Sequence, residues 1–314
     1  MSRSRIGTTL GLSLLLMMSC GAVNATTLYV NCAAKEGLHS IGAALKVLQN
    51  VPGPSTMNVF GACHENVVIQ SFDRITLNAV NGASVSDASG GKQDVISIFD
   101  SRDVAINGFT INAGSDGVSG ANGISCNDWS TCRLALNVIQ GAGSGAGFAV
   151  YQASVATVDG DTFQNNNVGL IVHSGTQVRP GGQARPITSR SNGQGMHIVR
   201  QAFVFVLASV DNNSQEGVVV GFHSTLDLNG SISHNGGVGA TIQESSAARF
   251  TSTTIANNGG PGVLLTDLSM ANFLGAGIVT GNGGGTDVVC NPQFSATRGA
   301  LGNIGGGTTN CVEP

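Results

Sequence analysis

The feature that most constrains this chain is a short segment that it repeats. Aligning on a glycine followed by three mostly apolar residues gives Gly147-Phe-Ala-Val, Gly169-Leu-Ile-Val, Gly195-Met-His-Ile, Gly217-Val-Val-Val, Gly239-Ala-Thr-Ile and Gly262-Val-Leu-Leu. Asp287-Val-Val-Cys is a final member without the glycine, and the steps are 22, 26, 22, 22, 23 and 25 residues. Self-similarity at periods of about 20–50 residues marks a solenoid or an array. Within each unit the first and third residues after the glycine are apolar: Phe148/Val150, Leu170/Val172, Met196/Ile198, Val218/Val220, Ala240/Ile242 and Val263/Leu265. A second alternating pair follows at Ala156/Val158, Val204/Val206, Leu226/Leu228, Ala248/Phe250 and Ala271/Phe273. A third inward residue precedes the next turn: Phe163, Val210, Ile232, Ile255 and Ile278. Each unit therefore reads as two or three short strands with period-2 burial, joined by turns.

Units this short cannot bury a core alone. Stacked as parallel coils about 4.8 Å apart, they align their inward residues into apolar ladders and satisfy one another's backbone groups. Asn166, Asn192, Asn213, Asn235, Asn258 and Asn282 fall in register a few residues before each new coil. Asparagine tolerates a left-handed backbone, and its amide can bond to the asparagine one coil away. A sandwich or propeller would need hairpin turns or longer blades, which the sequence does not offer. The expected fold is all-β: a single-stranded right-handed parallel β-helix, its hand following the crossover preference of parallel strands.

The front of the chain fits a capped stack. Residues 27–32 and 56–63 read as strands flanking a helix that starts at Ser40, with Ile41, Ala44, Leu45 and Leu48 on its apolar face and Pro52-Gly53 beyond it. A helix is expected there because an open solenoid end would expose strand edges and core. Two further coils are expected at 67–87 and 94–118, with a poorer one around 123–139. The N-terminal cap spans about 26–65, the coils about 66–290 and a C-terminal cap 291–314.

Residues 1–25 read as an export signal: Arg3 and Arg5, an apolar core from Leu10 to Met18, and the small-residue site Val23-Asn24-Ala25. Lipidation at Cys20 is the less favoured alternative. The apolar run is too short to span a bilayer, and no later stretch qualifies. The protein is expected in the periplasm or outside the cell. Loss of Arg3 and Arg5 takes the formal charge from -4 to -6, which gives no general attraction to nucleic acid or anionic membrane. Six cysteines remain after Cys20, an even number suited to an oxidising compartment, and locality suggests Cys32–Cys63, Cys126–Cys132 and Cys290–Cys311. None of the histidines has a zinc-ligand spacing relative to these cysteines.

The stretch "GACHENVVIQSFDRITL" (61–77) resembles the entry coil of the pectin-lyase-like superfamily, in which Gly-x-aromatic-x-Glu leads into Val-x-Ile. Gly61, Glu65, Val67 and Ile69 match, and Cys63 stands where the aromatic would be. With the repeats, the chain resembles secreted bacterial proteins of right-handed parallel β-helix repeats over essentially its mature length. The resemblance implies the fold but not an activity, since the superfamily mixes lyases, hydrolases, esterases and non-enzymes.

The chemistry is sparse. The polygalacturonase-like motifs Asn-Thr-Asp, Asp-Asp, Gly-His-Gly and Arg-Ile-Lys are absent, as are the esterase-like Gln-Asp-Thr and Asp-Phe. Asp159-Gly-Asp161 is the one pair of close carboxylates that could suit Ca²⁺, and a Gly-Asp turn is the commoner meaning, so no metal or cofactor is expected. Binding has the better case. The residue between the second inward pair points outward, and coil by coil it is Thr157, Arg179, Phe205, Asp227, Arg249 and Asn272. Arg179, Arg185, Arg190 and Arg200 crowd into the longest coil of the series. Arg179, Phe205, Asp227 and Arg249 are the candidate substrate-binding residues, since guanidinium groups beside an aromatic ring suit a polysaccharide or cell-surface glycan lying along the axis. The competing reading is a surface ion pair between Asp227 and Arg249. A second outward stripe, Ala149, Ile171, His197, Val219, Thr241, Leu264 and Val289, is apolar enough to suit cover by a loop or a neighbouring molecule. His197 reads as a surface histidine, with no nucleophile or carboxylate at fixed spacing. The expected function is thus an exported, non-catalytic glycan-binding or scaffold protein. The alternative is a polysaccharide lyase or glycoside hydrolase with an unrecognised site.

Overall fold

The computed structural model describes residues 25–291, 300–302 (backbone only) and 304–311. The expected export signal, including Cys20, lies outside the described residues except for Ala25. The chain winds into a right-handed parallel β-helix. One strand of every coil joins a ten-stranded sheet, and the remaining strands form an eighteen-stranded sheet that wraps the other sides. A representative coil runs Val168–His173 in the smaller sheet, then Gln177–Pro180 and Ile187–Arg190 in the larger.

The register is that of the repeat. Val67, Ile96, Ile124, Phe148, Leu170, Met196, Val218, Ala240, Val263 and Val288 stack as successive parallel partners. All ten are buried inside one continuous core. Each contributes about 1.5–3 kcal/mol if fully withdrawn from water, less for the alanine, so the ladder is a main source of stability. Phe250 and Phe273 stack directly, with ring centroids 5.3 Å apart.

The repeated glycine has a steric cause. A Cβ on Gly217 would lie 2.6 Å from the Gly239 carbonyl oxygen and 2.7 Å from Asn235 Nδ2. The column of glycines is therefore where each coil passes closest to the next and to the asparagine ladder. That ladder is present: Asn166, Asn192, Asn213, Asn235 and Asn258 are buried, and each donates both its backbone N–H and its Nδ2 to the Oδ1 of the next. Asn282 closes the series by donating to Asp287 Oδ1, which explains why the last repeat begins with aspartate.

Three expectations need correction. The left-handed backbone falls not on the ladder asparagines but on the residue before each: Asn165, Ser191, Asn212, His234, Asn257 and Gly281. The preceding residue makes the corner, which leaves the ladder residue extended with its amide aimed along the stack. Ile278 is exposed and Val279 is the inward residue, paired with Ile255, because the turn after Phe273 is one residue longer than its predecessor. The coil at 123–139 is complete, with strands Ile124–Asn127, Thr131–Ala135 and Val138–Gln140 paired to the coils on both sides.

A second buried polar ladder escaped the sequence reading. Ser101, Ser130 and Ser154 each accept, through Oγ, the backbone N–H of the residue one coil earlier, and Ser224, Ser246 and Ser269 do the same. Between the two runs stand Ala202 and Thr176, whose buried Oγ1 has no partner. The signal was legible: a Ser or Thr recurs two residues before the second inward pair in almost every unit.

The helix Ile41–Leu48 covers the N-terminal end with Ile41, Ala44, Leu45 and Leu48 buried. Ser40 Oγ accepts the Ala43 N–H at 3.1 Å, and the Glu65 carboxylate accepts the N–H groups of Ile41 at 2.7 Å and Gly42 at 2.9 Å. Glu65 thus ties the entry coil to the helix through the free donors and positive end of its first turn. The strand Thr26–Asn31 pairs in parallel with Ser55–His64. At the other end Ala300–Gly302 pairs in parallel with Met270–Leu274. The disulfides are Cys32–Cys63, Cys126–Cys132 and Cys290–Cys311, which fits an oxidising, periplasmic or extracellular setting. Cys126 and Cys132 lie inside the core and bridge the two sheets. No helix among the described residues is long and apolar enough to cross a membrane.

Candidate functional site

Strand pairing puts the candidate binding residues in one file on the outer face of the larger sheet. Arg133 pairs with Thr157 and Thr157 with Arg179; Phe205 pairs with Asp227, Asp227 with Arg249, and Arg249 with Asn272. Arg179 and Phe205 are joined by the register of Gln177 with Phe203 and Val178 with Val204. Phe203 belongs to this surface too, although the sequence reading missed it. In Phe203-Val204-Phe205 only Val204 points inward, so both rings emerge, 36% and 38% exposed. The alternation around Val204 was the available signal.

The members of the file are differently occupied. Arg179 stands over the Phe203 ring, its guanidinium carbon 6.0 Å from the centroid, and Nη2 donates to Gln177 Oε1 at 2.9 Å. This is a cation–π arrangement that leaves most of the guanidinium edge open. Arg249 is ion-paired with Asp227, whose carboxylate is largely covered, and the bond raises the arginine's pKa. The ion pair set against the binding role is therefore present. It holds Asp227 and one edge of Arg249, and leaves Arg179, Phe203 and Phe205 presented to solvent.

The other arginines grouped with the long coil separate in space, and Arg200 falls in the next coil, which begins at Gly195. Arg185 folds onto Asp159, with Nη2 3.0 Å from Oδ2, and Arg190 donates to Gln164 Oε1 at 2.9 Å and 3.1 Å. Arg200 lies on the turn that leads out of the smaller sheet. Arg185 and the backbone N–H groups of Gln183 and Arg185 engage Asp159, and Arg185 holds its carboxyl below the usual range. Asp161 is fully buried, accepts from Asn137 N–H, Asn137 Nδ2 and Asp159 N–H, and is pushed up to about 6 by that burial. Both carboxylates are committed to protein donors, so this pair does not form an open cation site. Among the described residues, Cys32, Cys63 and Glu65 also cluster, but a disulfide and the helix terminus use all three.

The outer face of the smaller sheet carries a second group of rings. Tyr151 and Ile171 pack over Ala149, Ala146 and Val168, so part of the apolar outer stripe is covered by a side chain from the end of its own strand. Tyr151 meets His173 edge to face, 5.9 Å between centroids. His173 Nδ1 shares a hydrogen bond with Ser174 Oγ at 2.6 Å, and His197 Nδ1 lies 2.8 Å from Gln194 Oε1. Burial, with Arg200 nearby, lowers the His173 pKa; burial and then His173 lower that of His197. Burial, with Asp94 beyond, raises that of Tyr151. His197 is therefore not an isolated surface histidine but part of a half-buried set of rings with His173 and Tyr151. Two cavities open beside this set: one of about 360 Å³ bounded by Asn127, Tyr151, Gln152, His173 and Ser174, and one of about 440 Å³. A third, of about 620 Å³, lies where the capping helix overhangs Val68 and Gln70.

No protein-family model matches the chain, and no curated protein does. Among solved structures, the A-module of the mannuronan C-5 epimerase AlgE4 of Azotobacter vinelandii superposes with a TM-score of 0.59 at 12% identity, covering 90% of this chain and 100% of that one. The A-module of AlgE6 from the same organism gives 0.36 at 13% identity, covering 86% and 92%. At that identity the first likeness is one of fold, and it bears out the parallel β-helix expected from the repeats.

Proposed function

We propose that this protein is an exported β-helix that binds an acidic polysaccharide along the outer face of its larger sheet. Residues 1–25 serve as the export signal and 26–314 as the binding domain. The observation that carries this reading is the Arg179–Phe203–Phe205 group, exposed on two successive coils with Arg179 and Phe205 in one file along the solenoid. Aromatic rings offer an apolar platform to a sugar face, and a free guanidinium edge pairs with a carboxylate. The coil rise of about 4.8 Å approaches the length of one pyranose unit, so successive coils can meet successive sugars. The solved structure of like fold is a module of an enzyme that by its name acts on mannuronan, an acidic polysaccharide. Binding here calls on no metal or cofactor.

A second reading, an enzyme acting on such a polymer, is favoured by Tyr151, His173 and His197. Imidazoles with lowered pKa beside a phenol with raised pKa are groups suited to general base and general acid catalysis. One experiment separates the two. Mature protein is screened on a glycan array, then incubated with each polymer it binds, with unsaturated uronate and new reducing ends followed over time. Retention without either product supports the binder. Unsaturated product identifies a lyase, reducing ends alone a hydrolase, and no retention on any acidic glycan overturns the binding function.

A further inference from the structure

The turns that carry the chain out of the smaller sheet are regular. From Asp128-Trp129 to Asp267-Leu268 each has two consecutive residues with left-handed backbone, among them Gln152-Ala153, Ser174-Gly175, Arg200-Gln201 and Phe222-His223. Stacked in register, they form an edge along the solenoid, with Gly175 N–H donating to Arg200 O and Gln201 N–H to Phe222 O. On this edge lies the cavity of about 440 Å³, lined by Ser174, Gly175, Arg200, Gln201, Phe222 and His223, and it shares Ser174 with the cavity of about 360 Å³ beside His173.

The chemistry of the lining is one-sided. Among the described residues, no aspartate or glutamate borders either cavity. Arg200 forms no ion pair with any described residue, in contrast to Arg185 and Arg249. Glu244, in the corresponding turn one coil on, gives its carboxylate to the Phe222 N–H at 3.2 Å. Phe222 is 47% exposed and forms part of the cavity wall. Ser174, Gln152 and Gln201 supply hydroxyl and amide groups around the opening. A guanidinium without a counter-ion, an aromatic wall and a polar rim are together what a compact, anionic, polyhydroxylated ring requires.

We propose that the paired cavities on this edge are a binding site for a single carboxylate-bearing sugar unit, with Arg200 on the carboxylate and Phe222 against the sugar face. The site is separate from the Arg179–Phe203–Phe205 surface and does not depend on it. A free monosaccharide therefore suffices as ligand, whereas the outer face of the larger sheet needs a chain to span several coils.

The test is an NMR titration of mature protein, following the imidazole signals of His173 and His223, with galacturonate, galactose and acetate as separate probes. Galacturonate is expected to shift both histidines saturably, while galactose and acetate each bind at least about tenfold more weakly, since each lacks one of the two recognition elements. Arg200→Ala should weaken galacturonate by about tenfold or more, Arg200→Lys by less, and the Arg179→Ala/Arg249→Ala pair should leave the titration unchanged. Equal response to acetate and galacturonate would reduce the site to one for any small anion and overturn the assignment. So would the absence of a saturable shift in the unaltered protein, a measurement that does not depend on any variant folding. An unchanged affinity in a folded Arg200→Ala protein overturns it equally.

Discussion

Asn213 gives both its side-chain Nδ2, at 2.8 Å, and its backbone N–H, at 3.1 Å, to the single Oδ1 of Asn235 one coil away. The same oxygen position on Asn213 accepts the two corresponding donors of Asn192. Each ladder asparagine thus closes the backbone of its neighbour at a buried corner that strand pairing does not reach.

Asn213→Ala should consequently destabilise the protein by about 2–4 kcal/mol, because it strands two buried donors of Asn192 and the Ser189 carbonyl together. Asn212→Gly, next to it, changes an outer residue whose positive φ glycine accepts, and should cost less than about 1 kcal/mol. Denaturant midpoints of the two variants check this. Similar losses would show that the ladder adds nothing beyond its position.

Val220→Ala removes packing from the ladder Ile198–Val220–Ile242 and should cost about 1–3 kcal/mol through the cavity left behind. Thr241→Ala, on the outer face one coil on, should stay within about 0.5 kcal/mol. Reversal of that order in thermal unfolding would refute the register.

Mature protein should contain no free thiol, and peptide mapping should join Cys126 only to Cys132. Replacing both with alanine closes no new contact and frees a short loop, for a loss of about 2 kcal/mol in the chain-entropy view. A fragment that joins Cys126 to Cys290 would contradict the core described here.

Asp161 gives a pH dependence of defined sign. Its folded pKa of about 6 lies above the value of 3.8 for an unburied aspartate, so the folded state binds the proton more tightly. The stabilisation is complete below the lower value and is lost as pH rises through about 6, an effect on the order of 3 kcal/mol. Asp159, lowered by Arg185, works in the opposite sense and loses its contribution at more acid pH. Unfolding midpoints of the unaltered protein and of Asp161→Asn, compared between pH 7 and pH 5, should show the unaltered protein gaining on the variant as pH falls. A constant difference would mean that Asp161 does not titrate there.

Period and alternation made the coils, the ladders and their register legible, because inward residues must be apolar and repeat once per coil. Local spacing also sufficed for the disulfides. Ile278 was misplaced because one extra residue in a glycine-rich turn shifts a short strand without disturbing its hydrophobicity. The serine ladder was overlooked because Ser reads as a turn residue, and its burial becomes visible only once coils are superposed. The candidate surfaces were harder to read. Arginines close in sequence, such as Arg185 and Arg200, end on different sides of the solenoid. Tyr151, His173 and His197 come from three separate coils, and no fixed motif joins them.

The most direct test of polysaccharide binding on the larger sheet compares unaltered protein with the Arg179→Ala/Arg249→Ala variant on an acidic polysaccharide and on a neutral one, at two salt concentrations. Each guanidinium in a desolvated, charge-assisted contact contributes about 1.5–3 kcal/mol, so the variant should lose tenfold or more on the acidic polymer and little on the neutral one. Removing Arg249 leaves the largely covered Asp227 carboxylate without its ion-pair partner, a loss of about 1–3 kcal/mol, so the unfolding midpoint of the variant is measured first to establish that it is folded. A folded variant that binds every acidic polysaccharide as tightly as the unaltered protein would contradict the assignment, and would leave Asp227 and Arg249 as a surface ion pair alone.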